Sequence, residues 1–352
     1  MPDDPSLPAL ARYRKQTLFA GIGDVGQQRL LQSKVLVVGC GALGSVIAES
    51  LVRSGVGLVR IVDRDFVELS NLQRQVLYDE QDVAEQLPKA VAAARKLRRI
   101  NSDVVVDPHV ADLSAENVLA LCNDIDLIVD GTDNFEVRFL INDAALELHR
   151  PWINGGVIGS HGQVMRIVPG RTPCLRCLMP DVPEPGTLET CDTAGVIGPA
   201  VNVVASLQVV EAFQQLIAPE AEIESVLTVV DVWEGSLRRL KLGRDLSDKV
   251  HCPACRQGKR DWLRGEQGAR STILCGRNAV QVSPPQPGQL DLEQLERKLA
   301  RSGAVRRNPF LLRLVPTATD YEITLFPDGR AIIRGTEEIA VARTLYARYI
   351  GS

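Results

Sequence analysis

Four cysteines and three glycines are the first residues in this chain whose types and spacing carry chemistry. CLRC holds Cys174 and Cys177, and CPAC holds Cys252 and Cys255. Each C-x-x-C pair can offer two thiolates to one tetrahedral ion. Together the pairs make a four-thiolate zinc site with no open position, which is a structural arrangement. A redox role for one pair is the alternative. Upstream, VLVVGCGALG places Gly39, Gly41 and Gly44 in G-x-G-x-x-G spacing between an apolar strand and a helix. Such glycines let backbone approach a phosphate or ribose, and the helix N-terminus favours an anion. The same spacing also serves a helix that only packs tightly on a strand.

Polar groups follow at the ends of the next strands. Asp63 ends the second strand, where an acid holds ribose hydroxyls. RDFVELSNLQRQ then clusters Ser70, Asn71, Gln73 and Arg74. Arg74 can grip phosphate oxygens with two parallel bonds. Lys89, after Pro88 at a helix start, is a second cation. For both cations a solvated face is the bland alternative. DGTDN ends in Asp133 and Asn134. Asp133 is a hard oxygen ligand suited to Mg2+, which travels with phosphates. It could equally cap the helix that begins FEVRFL, or do both. This much positive charge around one pocket suits a triphosphate better than a nicotinamide dinucleotide.

Cys191 stands alone in LETCDTAGVIGPA, between Gly- and Pro-rich flanks and just before a helix. The helix dipole favours its thiolate, so it reads as a nucleophile or as a free surface thiol. Cys40, Cys122 and Cys275 lie near apolar stretches and read as buried small hydrophobes.

The elements that must position these groups alternate regularly. Residues 11–32 form one or two helices anchored by Leu18, Phe19, Leu30 and Leu31. Strands are expected at 35–38, 58–62, 104–110 and 126–129, with a fifth beginning at 152–154. Helices are expected at 44–54, 88–101 and 135–149. Apolar strands alternating with helices imply a parallel sheet covered on both faces. Beyond it, HGQVMRIVP and IESVLTVVDVWEGSLRRLKL read as antiparallel strands around a long apolar helix at 200–216. The fold class is therefore α/β: a Rossmann-like, mainly parallel sheet continued by antiparallel strands, with a structural zinc site. Residues 1–262 form this domain. Residues 263–352, set off by RGEQGAR and SPPQPG, read as a small α/β domain of strand, helix, two strands joined by PDGR, and helix.

Composition narrows the function further. The 352 residues carry a net charge of −4 with no long basic run, which argues against nucleic acid as the main partner. The N-terminus lacks a basic segment before an apolar run, and no window of 18 uncharged apolar residues is expected to span a membrane. The expected compartment is the cytoplasm, where cysteines serve metals or catalysis rather than disulfides.

Taken together, these residues resemble the ThiF/MoeB family, bacterial relatives of ubiquitin-activating enzymes, over residues 10–262. The carriers are RYRKQ, GCGALGS, VDRDFVELSNLQRQ, DGTDN, the two C-x-x-C pairs and TCDTAGV. The resemblance implies a homodimer that binds ATP with Mg2+. It implies adenylation of the C-terminal glycine carboxylate of a ubiquitin-like sulfur carrier protein ending in Gly-Gly, with pyrophosphate leaving. A sulfur donor protein is a further implied partner, in thiamin, molybdenum cofactor or another sulfur pathway. Gly41 would approach the nucleotide and Asp63 would hold the ribose. Asn71, Arg74 and Lys89 would contact phosphates, with Ser70 and Gln73 lining the pocket. Asp133 would bind Mg2+ with Asn134 beside it. Cys191 matches a crossover-loop cysteine that in some members bonds covalently to the carrier. Two departures stand out. Lys15 occupies the position of an arginine that reaches the partner subunit's ATP, keeping the charge but losing the fork. QLPK replaces the usual Gly-x-Pro-Lys before the helix of Lys89.

Two other readings remain. An NAD-dependent oxidoreductase would need a histidine held by a carboxylate, and His109, His149 and His161 have no evident acidic partner in the sequence. A non-catalytic carrier-binding scaffold would not need Asp63, Arg74, Lys89 and Asp133 together. Residues 263–352 lack a cysteine-centred anion loop and are expected to dock the carrier or a sulfur donor.

Overall fold

Short runs of β-branched residues build one eight-stranded sheet in the computed structural model, which describes residues 8–182, 194–243, 245–267, 271–274, 278–283, 290–317 and 319–350. Its strands are β1 (Lys34–Val38), β2 (Leu58–Val62), β3 (Val105–His109), β4 (Leu127–Asp130), β5 (Trp152–Ile158), β6 (His161–Ile167), β7 (Val226–Asp231) and β8 (Ser236–Lys241). The order is β3-β2-β1-β4-β5-β6-β7-β8. The first five run parallel, and β6, β7 and β8 continue antiparallel. The chain steps outward from β1 to β3 and then returns to place β4 on the other side of β1. That reversal opens a crevice at the carboxyl ends of β1 and β4, where an α/β sheet binds its ligand. β3 is the sheet edge, which is why it tolerates Pro108.

Five longer helices belong to this unit: α1 (Gly23–Gln32), α2 (Ala42–Arg53), α3 (Lys89–Ile100), α4 (Phe135–Leu148) and α5 (Gly198–Ile217). Helix α5 is long and apolar enough to cross a membrane by length and composition, but Glu211 interrupts it and half of it is buried in the protein. Val204 and Gln208 fill the space where a Cβ on Gly162 or Gly155 would stand, so its apolar face is spent on the sheet. On α4, Phe139 stacks near Trp262 with ring centroids 5.5 Å apart.

The N-terminal segment is held differently from the expectation. Leu30 is fully buried, but Leu18 and Phe19 are 70% and 66% exposed. Polar groups do the anchoring instead. Tyr13 is buried against Gly55, and its hydroxyl accepts from Asn101 Nδ2 at 2.8 Å. Gln16 Nε2 donates to the Ser54 carbonyl at 3.1 Å. Those bonds fix the segment and leave the two apolar side chains facing outward.

The chain divides into two compact units, Met1–Gln267 and Gly268–Ser352. The second is a six-stranded antiparallel sheet rather than the three strands expected. Its strands are β9 (Ser271–Leu274), β10 (Ala279–Val282), β11 (Gly303–Arg307), β12 (Leu312–Pro316), β13 (Glu322–Leu325) and β14 (Ala331–Arg334), in the order β11-β12-β13-β14-β10-β9. Arginines hide β11 and β12 from an apolar pattern: Arg306 and Arg307 put a charge on each face of GAVRR, and Arg313 interrupts LRLVP. Leu314, Ile323, Ile333 and Val280 lie side by side in register. They form one core with helices α6 (Leu292–Leu299) and α7 (Ile339–Tyr349).

Candidate functional site

Glycines shape the floor of the crevice. Gly39 has φ +81°, a backbone that side chains resist. A Cβ on Gly44 would lie 1.9 Å from the Gly39 carbonyl oxygen, and one on Gly131 would lie 2.7 Å from the same atom. The turn after β1 and the DGTDN loop after β4 therefore interlock through Gly39, Gly44 and Gly131. Gly41 is different. The nearest atom to its missing Cβ is Gln75 Nε2 at 3.7 Å, so its outer side is open. Gly41 also begins α2 without a side-chain cap, which leaves the first backbone N–H groups for a ligand.

Asp63 and Lys89 share one buried wall. The Asp63 carboxylate accepts from Cys40 N at 2.6 Å and from Asp65 N at 2.7 Å. Burial pushes this carboxyl above its ordinary value, against the opposing pull of the Lys89 ammonium. Lys89 is 2% exposed, opens α3, and places Nζ 3.2 Å from Asp65 Oδ2. A short zipper holds the two segments together: Lys89 N donates to Asp65 O at 2.8 Å and Val67 N to Leu87 O at 3.0 Å. Tyr78 ties this wall to the glycine turn by donating to the Cys40 carbonyl at 2.7 Å. Burial pushes the Cys40 thiol up to about 12, and the Cys122 thiol likewise, so both are inert as expected.

The SNLQRQ segment supplies the next groups. Asn71 is buried in the 3-10 turn Leu69–Asn71, and its Oδ1 accepts from Glu68 N at 3.3 Å. Ser70 is exposed, and its carbonyl accepts from Arg74 at 3.0 Å. Arg74 has no ion pair among the described residues, so its charge is available. Gln73 is exposed. It is Gln75 that is buried beside Gly41, with Oε1 unpartnered among the described residues. Sequence reasoning missed Gln75, although it stands in the same motif one turn-position beyond Arg74.

The loop after β4 is braced from below. Asp130 is fully buried and accepts from Thr132 N at 2.9 Å, Thr132 Oγ1 at 2.7 Å and Arg138 Nε at 2.9 Å. This ion pair was not read from the sequence; the cue is an acid ending an apolar strand with an arginine in the following helix. Asn134, and not Asp133, caps α4, accepting from Glu136 N at 2.8 Å. That corrects the capping alternative and leaves the exposed Asp133 carboxylate without an ion pair among the described residues.

Lys15 is not brought to this crevice. It is exposed on the short helix Arg14–Thr17, which is fixed through Gln16 to Ser54 at the far end of α2. The length of α2, about 18 Å, separates that end from Gly41. Cys191 and Cys275 lie outside the described residues.

The four cysteines do come together. Their Sγ atoms all lie within 4.8 Å of one another. Sγ pairs are separated by 3.8 Å (Cys174–Cys177), 3.6 Å (Cys174–Cys252) and 3.5 Å (Cys177–Cys255). A tetrahedron with zinc–sulfur bonds of about 2.3 Å has edges of about 3.8 Å, so the set fits that ion. Neighbouring bonds pin the knuckles: Asn142 Oδ1 accepts from Leu175 N at 3.0 Å, and Asp143 Oδ2 accepts from Trp262 N at 3.1 Å.

Asp143 gives a pH prediction. It is fully buried, and burial pushes its carboxyl from 3.8 to about 6. At low pH both folded and unfolded states hold the proton and the group costs nothing. As pH rises from about 4 to 6 the unfolded state ionises first, so folding loses up to about 3 kcal/mol, a loss that persists above pH 6. Asp143→Asn keeps the acceptor without the charge. Urea midpoints are expected to favour the variant at pH 7.5, with the gap shrinking toward pH 5. A gap independent of pH would remove this account.

The histidines need a correction. His109 Nε2 lies 3.1 Å from Asp107, and His161 Nε2 lies 3.0 Å from Asp231. Asp107 and His109 are two apart on a strand and share a face, a pairing that the sequence reading overlooked. His161 is 69% exposed at its side chain and begins β6 at a hairpin end.

With this geometry in place, the chain can be assigned: it belongs to the ThiF family, which it matches over residues 13–254. More particularly, it is 45% identical to the Bacillus subtilis (strain 168) sulfur carrier protein ThiS adenylyltransferase, over 97% of this chain and 99% of that one. It is 39% identical to a Thermus thermophilus sulfur carrier protein adenylyltransferase, over 70% of this chain and 90% of that protein. Among solved structures, Escherichia coli MccB shares the fold, with a TM-score of 0.58 at 22% identity over 71% of this chain and 72% of that one.

Proposed function

We propose that this chain adenylates the C-terminal glycine carboxylate of a ubiquitin-like sulfur carrier protein ending in Gly-Gly, using ATP and releasing pyrophosphate, for thiamin or molybdenum cofactor biosynthesis. The observation that carries the reading is the crevice at the carboxyl ends of β1, β2 and β4, where the open side of Gly41 meets the buried Asp63–Lys89 wall. The likeness to a named adenylyltransferase along its whole length supports it.

In this reading the adenosine end lies over Gly39, Gly41 and Gly44, with Asp63 at the ribose. Arg74 and Lys89 neutralise phosphate charge, with Asn71, Ser70, Gln73 and Gln75 around them. Asp133 would hold Mg2+, since a solvent-facing carboxylate free of ion pairs is a hard ligand left available. When bound, that ion neutralises charge on the phosphates. The carrier carboxylate is already ionised at neutral pH and attacks the α-phosphorus without a general base. The bond to the β-phosphate breaks and pyrophosphate leaves with the electron pair. The protein's part is to hold these groups in line and to match the charge. Cys174, Cys177, Cys252 and Cys255 hold zinc as a structural ion.

Lys15 points to a homodimer: fixed at the far end of α2, it can serve a nucleotide only on a second chain. The direct test of the function is ATP–pyrophosphate exchange with carriers ending in Gly-Gly. Absence of exchange with every carrier tried would reject the reading. Cys191 is assigned to a later covalent step with the carrier, so Cys191→Ala is expected to keep exchange and lose sulfur transfer. Lost exchange in a folded variant would merge the two roles. Residues 268–352 are assigned to docking of the carrier or a sulfur donor. Their removal is expected to raise KM for the carrier while leaving ATP binding unchanged, and an unchanged KM would end that assignment.

A further inference from the structure

Cys255 differs from the other three cluster cysteines in its surroundings. Cys174, Cys177 and Cys252 are 1%, 5% and 0% exposed, whereas Cys255 is half-buried. Cys255 also lines a cavity of about 550 Å³. Arg171, Arg256, Arg260 and His149 face the same cavity, with Glu222 as the one carboxylate among its lining residues.

Charge does not select what enters. Arg171 donates to two neutral groups, the carbonyls of Pro219 at 2.6 Å and of Ala221. Arg256 is offset by Asp248 at 2.8 Å and Arg260 by Glu147 at 3.4 Å. Glu222 and the net negative charge of a zinc ion on four thiolates stand against the rest. What the cavity offers is room for a small reagent to reach the Cys255 sulfur. The remaining three thiolates are screened by the core of this unit.

We propose that this cavity is an access path for low-mass disulfides, and that Cys255 is the ligand they modify first, releasing the metal. The Cys255 thiolate attacks one sulfur of the incoming disulfide. That S–S bond breaks, the departing thiolate takes the electron pair, and Cys255 is left as a mixed disulfide that no longer ligates. Cys177 Sγ lies 3.5 Å from Cys255 Sγ. Its thiolate then attacks Cys255, expels the second thiolate of the reagent and closes a Cys177–Cys255 disulfide. Two protein thiolates are oxidised, the reagent is reduced to two thiolates, and zinc leaves as the divalent ion. The accessible ligand makes the structural site responsive to the thiol–disulfide balance around it.

The inference rests on the zinc reading, and elemental analysis of the untreated full-length protein tests that reading separately. The probe is 4,4′-dithiodipyridine, a neutral aromatic disulfide whose approach wall charges neither help nor hinder. A Cys191→Ser, Cys275→Ser background confines labelling to the described cysteines, of which Cys40 and Cys122 are buried. With less than one equivalent of reagent, peptide mapping by mass spectrometry is expected to find the first label on Cys255, with zinc release following it in time. A first label on Cys174, Cys177 or Cys252 overturns the proposal, and so does zinc release that precedes any label.

Discussion

Replacing Arg74 with Ala is expected to lower ATP–pyrophosphate exchange by about 10² to 10³-fold while leaving the thermal midpoint nearly unchanged. Both halves follow from its surroundings. Its guanidinium makes one bond, to the Ser70 carbonyl at 3.0 Å, and has no ion pair among the described residues. Losing it leaves no buried charge behind, so stability moves by about 0.5 kcal/mol or less. The same freedom is what a phosphate needs from it. Arg74→Lys retains charge without the two-pronged geometry and is expected to recover only part of the rate. Lys89→Ala is a poorer probe. Lys89 is buried against Asp65, and its loss mixes a folding defect into the kinetics. Exchange within twofold of the parent in Arg74→Ala, with carrier and Mg2+ saturating, would falsify the phosphate role.

Stripping the metal is expected to produce the largest change in stability. Zinc bound by four thiolates can contribute on the order of 10 kcal/mol to folding. Here it would join two segments far apart in sequence, Cys174–Cys177 and Cys252–Cys255, within the core that also holds Phe139, Trp152 and Met165. Without an ion, four sulfurs within 4.8 Å of one another must be protonated or repel. Even half of that contribution corresponds to a fall of about 10 °C or more in the thermal midpoint. Chelation at neutral pH, or Cys252→Ser, is expected to remove one zinc per chain and to lower the midpoint by that amount. A metal-free protein with an unmoved midpoint would show that the cluster does not support the fold.

Sequence reading reached some parts of this molecule and not others for physical reasons. The glycine turn, Asp63 and the cysteine pairs were legible because each depends on residues local to a strand end or a knuckle. The parallel sheet was legible because strands buried on both faces are continuous apolar runs, as in VLVV and LIVD. β11 and β12 were not, since Arg306, Arg307 and Arg313 break that run. Leu18 and Phe19 misled because an apolar residue signals burial only when something covers it, and the covering here falls to Tyr13 and Gln16. Gln75 and the cap at Asn134 turn on one-residue register within a turn, which composition does not fix. The Asp107–His109 and Asp130–Arg138 pairs needed the strand geometry itself.

The interlock of Gly39, Gly44 and Gly131 leaves no room for even one methyl group between the turn after β1 and the loop after β4. Both turns are also pinned to the sheet, through Gly39 N to Val62 O and Gly131 N to Val38 O, each at 2.8 Å. The seat proposed for the nucleotide is thus rigid before anything arrives, and little conformational entropy would be lost there on binding. Adaptation between empty and loaded states would then fall on the exposed flanking pieces, Ser70 and Gln73 of the SNLQRQ segment and the Asp133 tip. Substitutions that loosen those pieces should alter turnover, whereas substitutions in the seat should alter whether the protein folds at all.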